Sequence, residues 1–422
     1  MTVARTWWLA TALILGAGPV WAQSMGSHGA ALAQPAAGAR ETDIDVGVVT
    51  TYETNVARSS ADVAAQRRIK PHDVNFRPTL NALISRPIGR ETIFLSGAFG
   101  YDDYIRNHIL NSENIQFNAG ALGRFAICQG SLIGSYARQQ RNLADLPLAT
   151  PGGGATSANH DVVQDATIAF STVCGRSTGF APTVDVSHSW SNNSLAALNT
   201  IDSQSTNVSG GIAYRNPVLG SLTTFGRYSH TVYPNRPVPP GLGQPGRAYT
   251  YDTFGGGVTY ARAIGSRLAG SASLSYTDLQ SSAGTGGFSG FTYAVDLDYR
   301  VTPRIGATVR FERATQPTNR LNATFEVTEL YLAQLNYKMG PRLVWSAGYS
   351  HAHNQYGGIV LLPVVNDLTQ ETTNSEFGTV QFAVNRRIST GISLTHLSRA
   401  ANFPGLSYSD FLASFNIRVK LR

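Results

Sequence analysis

The chain has 422 residues, 33 Lys and Arg against 26 Asp and Glu, and a formal net charge of +7, yet charged residues make up only 14% of it. Soluble domains carry about a quarter charged residues, so this composition argues against an ordinary soluble enzyme. The 42 Gly, 18 Tyr and 18 Phe suit strands that meet lipid on one face and water on the other.

At the N-terminus, Arg5 precedes an apolar run over residues 7–18, and Val20-Trp21-Ala22 offers the small residues a signal peptidase reads. Residues 1–22 are therefore expected to be a signal peptide cleaved after Ala22. The run is too short for a spanning helix, which needs roughly 20 apolar residues, and no Cys follows to take a lipid anchor. Residues 23–42, rich in Ala, Gly and Ser, are expected as a disordered lead to a single domain over 43–422. Nothing later approaches an apolar spanning helix. A bilayer is crossed only by helices or by closed barrels, because each backbone polar group must be satisfied internally.

From residue 43 onward the chain alternates with period two. Tight links are predicted at Arg86-Pro87-Ile88-Gly89-Arg90, Cys128-Gln129-Gly130 and Cys174-Gly175-Arg176, and around 216–221, 263–266, 301–303, 338–341 and 385–387. Between them lie longer polar stretches at 56–72, 105–112, 142–159, 191–201, 234–247, 281–286, 314–321, 355–368 and 397–407. The strand pattern is clearest late in the chain. Phe291, Tyr293, Val295, Leu297 and Tyr299 alternate with Thr292, Ala294, Asp296, Asp298 and Arg300. The next strand sets Ile305, Ala307, Val309 and Phe311 against Gly306, Thr308, Arg310 and Glu312. In the last strand Phe411, Phe415, Ile417, Val419 and Leu421 oppose Ser414, Asn416, Arg418 and Lys420.

Short and long connections alternate throughout, as in an outer-membrane barrel with short periplasmic turns and long external loops. The reading is an all-β, transmembrane, antiparallel up-and-down barrel of about 18 strands (16–18), with both termini in the periplasm of a Gram-negative bacterium. No sequence period of the kind that marks solenoids or propellers is present.

If the apolar face meets lipid, parity assigns Arg77, Arg124, Asp185, Arg215, Asp296, Asp298, Arg300, Arg310, Glu312, Glu326, Lys338, Arg342, Arg418 and Lys420 to the lumen. Among these, bases outnumber acids, and rings of Arg or Lys favour anions. The alternative is that opposite charges pair across the wall and leave no selectivity. Cys128 and Cys174 are the two cysteines of an exported chain. Placed in the turns between strands 4 and 5 and strands 6 and 7, they are expected to form a disulfide on the periplasmic rim; two unpaired thiols are the other reading.

Ser187-His188-Ser189 and the pair His351 and His353 are the most suggestive clusters, for acyl transfer or a metal, but neither has a third partner at readable spacing. Gly255-Gly256-Gly257 lies within a strand, where Gly permits close approach. No cofactor and no nucleic acid is expected, since the positive charges are dispersed.

Several stretches resemble the "putative β-barrel porin" family of outer-membrane proteins. They are Tyr52-Glu53-Thr54-Asn55-Val56, Leu83-Ile84-Ser85-Arg86-Pro87-Ile88-Gly89 and residues 97–101. Most specific is Cys174-Gly175-Arg176 through Gly179-Phe180-Ala181-Pro182 to Ser189-Trp190-Ser191-Asn192-Asn193. The resemblance, taken to cover most of the mature chain, implies a passive pore or conduit associated with exopolysaccharide export. It implies no catalytic residues. The partners expected of the chain are the lipid bilayer, the outer-membrane assembly machinery, and anionic solutes or polysaccharide. Many such barrels end in an aromatic residue; here the sequence closes on Lys420-Leu421-Arg422, with Phe415 on the apolar face of the last strand. The alternatives are an outer-membrane hydrolase or polysaccharide-modifying enzyme, and a structural or adhesive barrel.

Overall fold

A computed structural model describes residues 38, 40–144, 160–236, 248–282, 286–320, 323–358 and 368–421. The expected signal segment and nearly all of the lead lie outside them. The first strand, β1 (Glu41–Glu53), begins two residues before the expected domain start. It is followed by the helix α1 (Ala61–Gln66) and by β2 (Asp73–Ile88), β3 (Glu91–Tyr104), β4 (Ser112–Phe125), β5 (Cys128–Gln140) and β6 (Val162–Cys174). Next come β7 (Gly179–Asn193), β8 (Ser203–Asn216), β9 (Gly220–Tyr233), β10 (Tyr249–Ile264), β11 (Leu268–Ser281) and β12 (Phe288–Arg300). The chain continues through β13 (Ile305–Pro317), β14 (Phe325–Met339), β15 (Leu343–Gly357), β16 (Gln370–Ala383), β17 (Ile388–Ala401) and β18 (Tyr408–Lys420).

Every strand pairs antiparallel with its neighbours in sequence, and β1 closes on β18 from Asp45 opposite Lys420 to Glu53 opposite Leu412. The result is one closed 18-stranded ring. Closure leaves no unpaired edge, which is what allows a sheet to reside in hydrocarbon.

The outward face is the apolar one. Phe291, Leu335 and Ile392 are each more than half exposed, which water would penalise and acyl chains do not. Exposed aromatics gather at two levels, Tyr52, Tyr101, Phe254, Tyr276 and Tyr349 toward the loop end and Phe180, Tyr214, Tyr299 and Trp345 toward the turn end. Such paired girdles mark the two membrane interfaces. No helix among the described residues is long and apolar enough to cross a membrane.

The strands run 13 to 16 residues, more than the roughly 9–11 a tilted strand needs to span. At the loop end four of them pass the boundaries expected from sequence by three residues or more: β7 reaches Asn193, β13 Pro317, β15 Gly357 and β17 Ala401. Above the membrane both faces are polar, so the hydropathy alternation fades while the backbone ladder continues. At the opposite end the turns are as tight as expected, with Gly89, Gly265 and Gly340 at φ 63°, 60° and 72°. Both cysteine-bearing turns are displaced: Cys174 ends β6, ahead of a turn over 175–178. The β4–β5 link is Ala126-Ile127, with Ala126 at φ 54°, so Cys128 already opens β5. Cys128 and Cys174 face each other across the β5–β6 pair and form a disulfide, with Cα atoms 3.9 Å apart.

Candidate permeation pathway

Strand parity and the observed register put Arg77, Arg124, Asp185, Arg215, Asp296, Asp298, Arg300, Arg310, Glu312, Glu326, Lys338, Arg418 and Lys420 on the face opposite the lipid-exposed side chains. Arg342 is the exception. It sits in the turn over 340–342, its carbonyl accepting from the Ala383 N–H at 2.8 Å, because β15 starts only at Leu343.

The expected excess of positive charge along this inner wall is corrected. β1 alone contributes Glu41, Asp43, Asp45 and Glu53, and Asp73, Asp102, Asp165, Glu371 and Asp410 also face inward, so acids exceed bases on the strands. Many bases are spoken for. Arg310 Nε lies 2.6 Å from Asp296 Oδ1, Arg77 Nε 2.6 Å from Asp102 Oδ1, Arg418 Nε 3.2 Å from Asp45 and Lys420 Nζ 2.7 Å from Asp43. One sequence cannot reveal such pairs, since partner strands such as β18 and β1 are hundreds of residues apart. Arg227 on β9 also faces inward. It lies flat across Gly255, where an added Cβ would sit 2.6 Å from its Nε, and donates to Thr277 Oγ1 at 2.7 Å. An inward Gly opposite an inward Arg is the signal that would have found it.

Between these charges, β4 through β11 present an inner surface of hydroxyls and amides. Ser131 bonds Ser171 at 2.9 Å, Ser205 bonds Thr231 at 3.1 Å, and Ser275 bonds Thr292 on β12 at 2.7 Å. Hydroxyls donate and accept alike, so this wall can exchange hydrogen bonds with water or a hydrophilic solute at little net cost.

The loop end is partly closed. The β1–β2 loop folds over with α1, whose N-cap Ser60 accepts from Val63 N–H, and a helix this short persists only through packing. Val56, Ala57, Ala64 and Ile69 from this loop pack with Leu110, Leu143, Leu198 and Ile201 from three further loops. Arg67, 1% exposed, is the buried pin of this cap, donating to the carbonyls of Ala57 at 3.4 Å and Leu143 at 3.0 Å. Burial pushes its guanidinium down to about 10, so it stays charged at neutral pH.

The cap is tied to the far wall. Arg399 of β17 donates to the Ala144 carbonyl at 3.2 Å and is ion-paired with Glu371, which also takes Arg320 at 3.0 Å and the Tyr356 hydroxyl at 2.7 Å. Five strands of the ring lie between β5, which leads into Ala144, and β17, so the loop leans over the interior. Its remainder, 145–159, lies outside the described residues. A second inward cluster, Tyr233, Tyr249, Tyr251 and Leu279, flanks the same mouth, with Arg236 4.0 Å above the Tyr233 ring.

The chemical clusters do not assemble. Ser187 faces inward and His188 outward, where it bonds Thr206 at 2.8 Å. His351 and His353 point outward to Asn374 and Thr372. No group of three or more His, Cys, Asp or Glu suited to a metal occurs among the described residues.

A sealed ring with a lipid-facing belt, a polar interior and a loop-narrowed mouth is a transmembrane barrel of the porin and channel type. The sequence family described as "Putative beta-barrel porin 2" matches residues 248–421, essentially β10 to β18. The match thus falls on the C-terminal strands and not on the stretches between Tyr52 and Asn193 that carry the resemblance in the sequence. Together with the apolar belt it places the protein in the bacterial outer membrane. Among solved structures, the siderophore receptor PirA from Acinetobacter baumannii is 7% identical with a TM-score of 0.50, covering 91% of this chain and 81% of that one. OccK2 (OpdF) from Pseudomonas aeruginosa is 9% identical with a TM-score of 0.47, covering 90% and 98%. At such identity the likeness to PirA speaks for the fold alone. No curated protein matches the chain.

Proposed function

We propose that the protein is a passive, non-enzymatic outer-membrane conduit for hydrophilic solutes, and that it serves the export of surface polysaccharide. The observation that carries this reading is the inversion of polarity across a closed wall, with apolar side chains outward and hydroxyls, amides and paired charges inward all round the ring. The family match on β10 to β18 supports a porin role. Eighteen strands enclose enough width for an aqueous channel, and the loop cap makes it a narrowed one.

Purified protein in a planar lipid bilayer is expected to give discrete, salt-dependent conductance steps. Silence across a range of salts and voltages would remove the pore. A strain lacking the gene is expected to release less surface polysaccharide and to retain polymer in the periplasm. A structural or adhesive barrel is the second reading, favoured by the tightly packed cap; it predicts silence in the bilayer and partner binding at the external loops.

A further inference from the structure

The net positive charge of the chain, absent from the strand walls, is concentrated at the periplasmic rim. Turn residues Arg90, Arg176, Arg267, Arg304, Arg342 and the pair Arg386-Arg387 are all exposed. The two short turns without an arginine, at 126–127 and 217–219, each follow within three residues of an inward-facing one, Arg124 and Arg215. Arg300 and Lys338 add inward bases at the same level. Every short turn therefore has a base on or beside it. None of these side chains forms an ion pair among the described residues. Of the acids near this end, Asp43 and Asp45 hold Lys420 and Arg418, Asp298 accepts from Thr308 and Glu91 faces outward at the start of β3, which leaves Glu41, inward at the start of β1, against the many bases.

Charges left exposed and unpaired around a mouth create a field that draws in counter-charge. Neighbouring turns are two strands apart, roughly 10 Å from the interstrand spacing, close to the Debye length of about 8 Å at physiological salt. At that spacing the arginines do not converge on one small anion. They act together on a chain that carries its own repeated charge. Continuation of the bases onto the inward face favours a solute entering the barrel over lipid headgroups outside it, and guanidinium groups match carboxylates in geometry.

We propose that the periplasmic rim is an electrostatic entry collar for a carboxylate-bearing polysaccharide, one that threads the barrel from the periplasmic side. This rests on the conduit reading. The test uses the full-length protein in planar bilayers, with a polyuronate oligomer and a neutral oligosaccharide of equal length added to either side. The polyuronate is expected to reduce ion current about tenfold more effectively from the turn side than from the loop side. Raising the salt should weaken that block. In a combined R304Q, R342Q, R386Q and R387Q variant the turn-side block is expected to fall about tenfold, with the neutral sugar unaffected. Equal block from both sides, or a variant indistinguishable from wild type, overturns the collar. So does a variant that keeps its block and loses only binding to vesicles rich in anionic phospholipid. Polyuronate binding to detergent-solubilised protein is measured alongside. A protein that binds but never conducts would sink the conduit reading alone, and one that conducts without discriminating would sink the collar alone.

Discussion

The two ends of the barrel use the same residue in opposite ways. At the loop end, Arg67, Arg141, Arg320 and Arg399 are buried and bonded to carbonyls or carboxylates. At the turn end, Arg176, Arg267, Arg304, Arg342 and Arg387 are exposed and form no ion pair among the described residues. A buried guanidinium must be satisfied or it destabilises, so the first set fixes loops in place. An exposed guanidinium is solvated at no cost to the fold, so the second set is free to meet a ligand. The difference teaches that these loop-end arginines hold structure, while these turn-end arginines are left to the solvent.

The largest expected effect breaks the loop-end half of that contrast. In R399A, Glu371 loses one of its two arginines and Ala144 loses its tether to β17. Removing one partner of a buried pair costs about 3–5 kcal/mol. Single-channel current is expected to rise and become noisier as the cap loosens; unchanged conductance would show that the cap does not narrow the path. Next comes Leu198, fully buried in the cap. L198A is expected to cost about 2–5 kcal/mol, read as faster amide exchange over residues 56–69 with the strand amides unaffected. Exchange rising equally in the strands would mean cap and barrel are one cooperative unit.

A smaller change is expected when both cysteines are replaced. C128S with C174S removes a cross-link of a kind worth about 2–4 kcal/mol, and the heat needed to convert the compact barrel to the unfolded form on a gel should drop. The barrel should still close, because β5 and β6 are paired along their whole length. Least of all is expected from R342Q, whose side chain is exposed in a turn. Its thermal midpoint should match wild type, and a clear loss would mean that the turn-end arginines are structural after all.

The strand end-points show where sequence reading stops. The apolar alternation ends near Leu397 and so points to a loop at Arg399, although the β17 ladder continues to Ala401. Parity points Arg342 to the wall, although Gly340 and Pro341 hold it in a turn. The inward set from Arg77 to Lys420 was readable because period-two patterning needs no knowledge of the partner strand. The pairs were not, since Arg418 meets Asp45 only after the last strand closes on the first.

The sequence by itself determined which side chains face lipid, which end carries the turns and where two cysteines could meet. Hydropathy alternation and turn chemistry are local, readable a few residues at a time. Only the tertiary structure decided that the ring closes at 18 strands, that four loops share a small apolar core over its mouth, and which arginines are spent on holding it. Those outcomes depend on contacts such as Arg399 with Ala144, 255 residues apart, and burial at that distance is set by the whole ring and not by any segment of it.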